Sequence, residues 1–192
     1  MVDPQNDMVV VIRETALKTM AERGVDGTSV QMVADAAGCA KSNVLYHFGS
    51  KQRLVEAALT PAVEELARLT DRVEQFVADG GSVDDPDVAA WFVDALLEHR
   101  LAANLVVNRM GELPEGQFLE RLRGNMSRMG AVLTASQSAE DSLRIQIVIG
   151  GLAYALAYPD GFWPDDSLPD MRRALLKITR ELLVSRPGGE AQ

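Results

Sequence analysis

The sequence predicts an all-α protein, and two observations lead to this prediction. Apolar residues recur along most of the chain at the spacing that gives a helix one buried face. The alternation of apolar and polar residues that indicates strands is nearly absent, and β-branched residues lie within the helical patterns. With 192 residues, 47% of them hydrophobic, the chain is long enough to bury a core.

Three helices are predicted in the first fifty residues. The first ends at Gly24, because a residue without a Cβ suits the left-handed backbone that follows many helices. The second is expected to begin after an N-cap at Thr28, with Gln31 as its capping-box partner, and to end at Gly38. A tight turn at 39–40 leads to a short third helix, over about residues 41–47. We assign Val44 and Phe48 to the core of this small domain.

The rest of the chain predicts a helix over about residues 51–78, with a kink or a fresh start at Thr60–Pro61, and another over about 86–109. One or two helices are predicted between about 117 and 135, and two more over about 139–158 and 171–184. Asp85 and Pro86 predict an N-cap followed by the first helical residue. Three prolines and a glycine within 159–169 predict a loop. Gly150 and Gly151 lie in mid-helix, where each costs about 1 kcal/mol relative to alanine. Close approach of a second helix would explain them, and a core helix that tolerates them is the alternative.

Several features predict a cytoplasmic location. Cys39 is a single cysteine, so no intrachain disulfide is possible, which suits a reducing compartment. The N-terminus is polar and acidic, unlike a secretory signal. The longest apolar run, Ile145–Tyr158, is shorter than the roughly 20 residues of a membrane-spanning helix. We therefore expect no membrane partner.

The distribution of charge favours one basic surface on an acidic protein. Residues 1–60 hold seven acidic and six basic side chains, so −8 of the net charge of −9 lies beyond them. The segment between Asp35 and Glu56 contains no acidic residue but includes Lys41, Lys51 and Arg53. A protein that contacts phosphates at one end only requires such a local excess of positive charge. A chance gap among the acidic residues is the alternative.

Residues 28–51 have the shape of a helix-turn-helix, in which the second helix enters the major groove. They read TSVQMVADAAG and, after two residues, KSNVLYHFGSK; the preceding helix ends MAERG. In these motifs, residues 8–60 resemble the N-terminal domain of the tetracycline-repressor (TetR) family. Two positions depart from the family pattern: Ala40, where serine is frequent, and Leu45, where tyrosine is frequent.

The resemblance implies a two-domain homodimer that regulates transcription. Residues 1–50 would form the helix-turn-helix DNA-binding domain, and residues 51–192 a helical domain for dimerisation and effector binding. Members of the family dimerise through their last two helices, which here are those near 145–158 and 171–184. The resemblance also implies repression of transcription, with a small-molecule effector of unknown identity that releases the protein from its operator.

Eight residues are candidate contacts to double-stranded operator DNA. Hydroxyls at the start of a helix can bind phosphate, and the first turn of a reading helix reaches base edges, where Asn suits adenine and Lys suits guanine. Aromatic hydroxyl, imidazole and ammonium groups can donate to flanking phosphates. The candidates are Thr28 and Ser29 for phosphate, Lys41, Ser42 and Asn43 for bases, and Tyr46, His47 and Lys51 for phosphate.

A second set of residues is expected to line an effector site between the helices of about 86–130. Apolar and aromatic side chains would shape an adaptable pocket, and a few polar groups would orient the ligand. The set comprises Trp91, Phe92, Leu96, His99, Asn104, Met126 and Met129. The alternative is that these side chains only fill the core.

The sequence does not favour catalysis, a metal or a cofactor. The two histidines and one cysteine have no familiar zinc spacing, and Ser136 and Ser138 have no histidine near them in the sequence. We therefore expect that the chain is not an enzyme. Two other functions are compatible with an all-α chain: a helical ligand-binding or scaffold protein without DNA binding, and an all-α enzyme.

Overall fold

The computed structural model describes residues 4–135, 138–157 and 168–183. Across these ranges, regular structure consists of nine α-helices and one 3₁₀ turn, without a strand, so the predicted all-α class is confirmed. The helices are α1 Pro4–Arg23, α2 Val30–Ala36, α3 Lys41–Phe48, α4 Lys51–Ala78, α5 Pro86–Glu98, α6 Arg100–Asn108, α7 Gln117–Thr134, α8 Ala139–Ala157 and α9 Leu168–Leu183, with the 3₁₀ turn at Met110–Glu112. None of the described helices combines the length and the apolar character that crossing a membrane requires.

The described residues form two compact units. Unit 1 contains those within 1–64 together with residues 101–122, and unit 2 contains residues 65–100 together with those from 123 onwards. Two segments far apart in sequence therefore build unit 1. The predicted domain boundary after residue 50 stays a prediction.

Local backbone chemistry sets the helix ends in unit 1. Gly24, Gly38 and Gly49 all have positive φ and end α1, α2 and α3, as predicted. The predicted N-cap of α2 is wrong by one residue. Ser29, not Thr28, is the N-cap, and its hydroxyl accepts from the N–H of Met32 at 3.2 Å.

The predicted capping box of α2 is also wrong. Gln31 donates its side-chain amide to Asp35 at 2.6 Å, one helical turn further on. Thr28 donates its hydroxyl backwards, to the carbonyl of Gly24 at 2.7 Å. The two adjacent hydroxyls are therefore used differently, one inside the turn and one at the helix start.

The core of unit 1 holds its short helices in place. Ile12 and Met20 of α1, Val33 of α2 and Val44 of α3 are at most 1% exposed, and Phe48 is 8% exposed. The assignment of Val44 and Phe48 to the core is confirmed. Truncating a large apolar side chain buried to this degree to alanine lowers the free energy of unfolding by about 2–5 kcal/mol.

Unit 2 packs α5, α8 and α9 together. Asp85 caps α5 as predicted, with its carboxylate accepting from the N–H of Asp87 at 2.8 Å. Arg172 of α9 donates two hydrogen bonds to Asp94 of α5, at 2.5 and 2.9 Å. These contacts join the helix pair at its polar edge, while apolar side chains fill its centre.

The predicted helix over 86–109 is wrong as a single element. α5 ends at Glu98, His99 adopts non-helical angles (φ −110°, ψ 27°), and α6 starts at Arg100. Neither glycine nor proline marks this break, and the chain passes here from unit 2 into unit 1. The predicted ends of the last two helices, Tyr158 and Val184, and most of the predicted loop between them, lie outside the described residues.

Candidate nucleic-acid interface

The turn between α2 and α3 is built by backbone hydrogen bonds. Gly38 has φ +67°, and the N–H of Cys39 donates to the carbonyl of Ala34 at 3.0 Å. Ala34, whose carbonyl accepts this bond, is fully buried. The turn is therefore short, and the orientation of α3 is fixed by the packing beneath it.

α3 turns one face to the core and the other to solvent. Val44 and Phe48 are buried, whereas Lys41, Ser42, Asn43, Leu45 and Tyr46 are exposed. Tyr46, at 81% exposure, is the most open of them. The three base-reading candidates, Lys41, Ser42 and Asn43, are thus all exposed on the first turn of α3, spread around about half of its circumference.

The N-terminus of α3 has an alanine cap. Ala40 makes no side-chain hydrogen bond, and the N–H of Asn43 donates to its carbonyl at 2.9 Å. The first N–H groups of the helix thus lack the hydroxyl partner that serine provides at a helix start. Alanine at position 40, where the family frequently has serine, therefore removes the side-chain N-cap of α3.

The phosphate candidates occupy three different environments. Tyr46 and His47 stack edge to face, with ring centroids 5.1 Å apart, and His47 is half-buried. Ser29 is exposed at the start of α2. Thr28 is 2% exposed and does not share this surface, because its hydroxyl is bonded within the turn that precedes α2.

Lys51 begins α4 and reaches back towards the turn before α2. Its ammonium group donates to the carbonyl of Asp26 at 3.4 Å and remains partly exposed. Ser50 precedes it as the cap of α4, accepting from the N–H of Arg53 at 3.2 Å. Lys51 and Arg53 therefore add positive charge at the first turn of α4.

Arg109 and Glu112 are part of this arrangement although no sequence motif indicated them. A carboxylate oxygen of Glu112 accepts from the N–H groups of Val25 and Asp26, at 2.8 and 3.3 Å. Its other oxygen accepts from the guanidinium of Arg109 at 2.8 Å. Gly24 has a φ of +80°, which favours glycine, and an added Cβ would lie 2.6 Å from Glu112 Oε2 and displace that carboxylate.

The surroundings of Glu112 favour its ionised form. The hydrogen bond from Arg109 lowers its pKa most, partial burial opposes that effect, and the backbone N–H groups of Asp26 and Val25 lower the pKa further. The net pKa lies below the usual glutamate value. The carboxylate therefore holds the turn between α1 and α2 as a charged acceptor.

The effector candidates are divided between the two units. Phe92 and Leu96 line a cavity in unit 2, and Met129 and Trp91 pack in the core cluster beside it. Trp91 also lies under the guanidinium of Arg72, 3.7 Å from its ring centre. The other three candidates lie in other environments. Met126 is 36% exposed, and His99 is the half-buried C-cap of α5. Asn104 is buried in unit 1, where its side-chain oxygen accepts a hydrogen bond from Asn108 at 3.0 Å.

The cavity in unit 2 is narrow, apolar and marked by one hydroxyl. Its volume is about 30 Å³, and side chains of α5, α7, α8 and α9 line it. Thr179 of α9 is 2% exposed, and its hydroxyl has no hydrogen-bond partner among the described residues. A buried hydroxyl normally has a partner, because desolvating it alone costs free energy. Sequence reasoning missed Thr179, which looks like any polar residue of an amphipathic helix.

Within the described ranges, no group of three or more His, Cys, Asp or Glu side chains is placed to hold a metal ion.

We expect Glu112→Gln to destabilise the folded chain by about 1 kcal/mol near neutral pH, since a charged acceptor of backbone N–H groups is replaced by an amide. The pKa of Glu112 is lowered by folding, so its contribution is present above the usual glutamate pKa of about 4.3 and is lost as pH falls through the lower folded value. Chemical unfolding at several pH values measures this. The difference between wild type and variant should shrink in acid.

Glu14→Gln, at an exposed position in the middle of α1 in the same unit, is the matched control and should leave the free energy of unfolding at neutral pH unchanged. Equal unfolding free energies for wild type and Glu112→Gln at neutral pH would contradict the role given to Glu112.

Comparison with known proteins places these features in a family. Residues 12–58 match the model of the tetR family of bacterial regulatory proteins. The chain is similar to the HTH-type transcriptional repressor KstR2 of Mycolicibacterium smegmatis, with 26% identity over 68% of this chain and 65% of that one. It is also similar to the HTH-type transcriptional repressor AcnR of Corynebacterium efficiens, with 30% identity over 42% of this chain and 43% of that one. The matched part thus spans less than two thirds of either relative.

Solved structures share the fold. A TetR-family transcriptional regulator from Bordetella parapertussis superposes with a TM-score of 0.69 at 20% identity, covering 93% of this chain and 94% of that one. The regulator FadR from Bacillus subtilis, in complex with stearoyl-CoA, superposes with a TM-score of 0.55 at 17% identity, covering 92% and 97%. The predicted family resemblance is confirmed for the N-terminal helices: residues 12–58 match the tetR family of bacterial regulatory proteins.

Proposed function

We propose that this chain is a transcriptional repressor that binds operator DNA through α2 and α3 and leaves it when a small molecule binds. The main support is the exposed face of α3, which carries Lys41, Ser42 and Asn43 within a segment free of acidic residues. An α-helix fits the major groove, and side chains on its first turn reach base edges.

The flanking residues would position α3 on the duplex. Ser29, Tyr46, His47 and Lys51 would donate to phosphates on either side of the groove. Thr28 would act indirectly, because its hydroxyl and its N–H are both bonded within the preceding turn. It would hold the backbone from which Ser29 reaches the phosphate.

Selection of bound sequences from random duplex DNA tests this function and provides the operator. On that operator, Lys51→Ala should weaken binding to all sequences and reduce the slope of log affinity against log salt by about 1, because one phosphate contact is lost. Asn43→Ala should cost about 1–3 kcal/mol at particular base pairs only. Fluorescence anisotropy at several salt concentrations measures both effects.

Lys177→Ala, at an exposed lysine of unit 2, is the control for a loss of charge alone and should bind like wild type. Recovery of no sequence from the random pool would contradict DNA binding. Unchanged affinity in both Lys51→Ala and Asn43→Ala would contradict the assigned contacts.

We further propose that the chain is a homodimer formed by α8 and α9. Leu143, Ile147 and Tyr154 of α8 are 59%, 71% and 56% exposed, and their spacing places them with Gly150 on one side of that helix. Ile178 and Leu182 of α9, one turn apart, are 42% and 45% exposed. A Cβ at Gly150 would meet nothing within 4 Å, so packing within the chain does not require glycine there. Close approach of a second chain would require it.

Ile147→Glu should convert a dimer of twice the 20.9 kDa chain mass into a monomer, because two carboxylates would face each other across an apolar contact. Gly150→Ala should weaken the dimer, although alanine favours a helix over glycine by about 1 kcal/mol. Sedimentation equilibrium at micromolar concentration measures the mass.

Gly130→Ala in α7, where an added Cβ also meets nothing within 4 Å, is the matched control: it should stabilise the fold and leave the mass unchanged. A wild-type chain that sediments as a monomer, or an Ile147→Glu chain that remains a dimer, would exclude this interface.

The effector is proposed to be a mainly apolar molecule that binds in unit 2 beside Phe92 and Leu96. The cavity of about 30 Å³ exceeds the 10–15 Å³ that one water needs but is far below a drug-sized site, so the surrounding side chains would move apart on binding. Thr179 would provide a hydrogen bond to the ligand. The stearoyl-CoA bound by the Bacillus subtilis neighbour makes a long apolar group a reasonable first probe.

A compound that binds only the folded chain, at 100 times its dissociation constant, should stabilise it by about 2.7 kcal/mol and weaken operator binding, because the coupling of the two ligands is reciprocal. Thr179→Val should reduce that stabilisation. Thr70→Val is the control, since the hydroxyl of Thr70 is also buried but already donates to Leu66 at 2.7 Å. A screen of apolar compounds in which none both stabilises the chain and releases the operator would leave the alternative, that these side chains only fill the core.

A ligand-binding or scaffold protein without DNA binding, and an enzyme, remain the alternatives to this function. The first is decided by the DNA selection described above. Turnover of a compound found in the screen would be required for the second. As a DNA-binding repressor, the protein would act in the cytoplasm.

A further inference from the structure

Leu45 is an exposed apolar side chain on α3. Residues 12–58 are all described, and the exposed large hydrophobic residues among them are Leu45, at 39%, and Tyr46, at 81%. Both are therefore on the helix that carries the polar reading candidates. Val11, at 43% exposure, lies just outside this range on α1.

The packing of α3 does not explain Leu45. Val44 and Phe48 already bury the inner side of the helix, at 1% and 8% exposure. Fully burying a leucine is worth about 1.5–3 kcal/mol, and the part that corresponds to the 39% exposed surface of Leu45 is not realised within the chain. Tyr46 has a hydroxyl that can reach a phosphate, whereas the leucine side chain has no polar atom. An apolar surface in the DNA is the group that would complement it.

The register of α3 places Leu45 beside Lys41 and Ser42. Successive residues are separated by about 100° around a helix, so Leu45 lies one turn beyond Lys41 on the same side. Asn43 and His47 lie on the opposite side by the same rule. Four residues along a helix span about 6 Å, close to two base-pair steps of 3.4 Å.

The major groove offers one apolar group among its hydrogen-bonding edges, the C5 methyl of thymine. We propose that Leu45 recognises a thymine by this methyl group, about two base pairs from the base that Lys41 contacts. The inference rests on the proposed function and adds a base preference to it. It makes Leu45 a specificity-determining residue that neither donates nor accepts a hydrogen bond through its side chain.

Removing single methyl groups from the DNA tests the contact directly. Each thymine of the selected operator is replaced in turn by deoxyuridine, which removes only the methyl group. With wild-type protein, one position per half-site should lose about fourfold in affinity, the effect of about one buried CH₂. Leu45→Ala should show a comparable loss on the thymine operator and no further loss when that thymine becomes deoxyuridine.

Val11→Ala removes an exposed apolar side chain of the same unit and is the control; it should keep both the affinity and the sensitivity to deoxyuridine. Thermal unfolding checks that Leu45→Ala is folded. An operator without a fixed thymine, indifference to every deoxyuridine, or sensitivity that persists in Leu45→Ala would each overturn the role of Leu45 while leaving DNA binding intact. If no sequence is selected at all, the proposed function fails and this inference fails with it.

Discussion

Glu112 holds together the part of the chain on which the proposed DNA contacts depend. α2 has seven residues and α3 has eight, well below the length at which an isolated helix is stable in water. Their positions must therefore come from packing and from the turns between them. The carboxylate of Glu112 accepts two backbone N–H groups of the turn before α2, and Arg109 keeps it charged and oriented. Gly24 provides the space for this carboxylate.

This contact also links the two distant segments of unit 1. Residues 101–122 form one compact unit with the N-terminal helices, and the hydrogen bonds from Val25 and Asp26 to Glu112 join the two segments. A boundary drawn from sequence alone follows the chain and cannot include a segment that returns after a hundred residues. In an effector-released repressor, a displacement of residues 101–122 would therefore act directly on the turn that positions α2. The charge-assisted hydrogen bonds would transmit it, since they are stronger and more directional than apolar contacts.

Sequence reasoning succeeded where a local chemical rule decides the structure and failed where a distant contact does. Gly24, Gly38 and Gly49 end their helices because left-handed backbone favours glycine, and Asp85 with Pro86 begins α5 for equally local reasons. Thr28 and Ser29 have the same hydroxyl chemistry, and only the fold shows which of them faces the turn. The break at His99 and the roles of Arg109 and Glu112 depend on contacts between segments. The periodicity of apolar residues along the sequence does not indicate such contacts.

The charge of the chain limits how it could bind DNA in the proposed function. A net charge of −9, with −8 of it beyond residue 60, would repel a polyanion overall, whereas residues 36–55 contain Lys41, Lys51 and Arg53 and no acidic residue. Lys41, Lys51 and Arg53 are few cations, so few counterions would be released on binding and sequence-independent affinity would be low. Contacts to bases would then have to add substantially to the proposed phosphate contacts. In such a protein an apolar base contact of the kind proposed for Leu45 would carry a larger share of the total binding free energy than it would on a strongly basic surface.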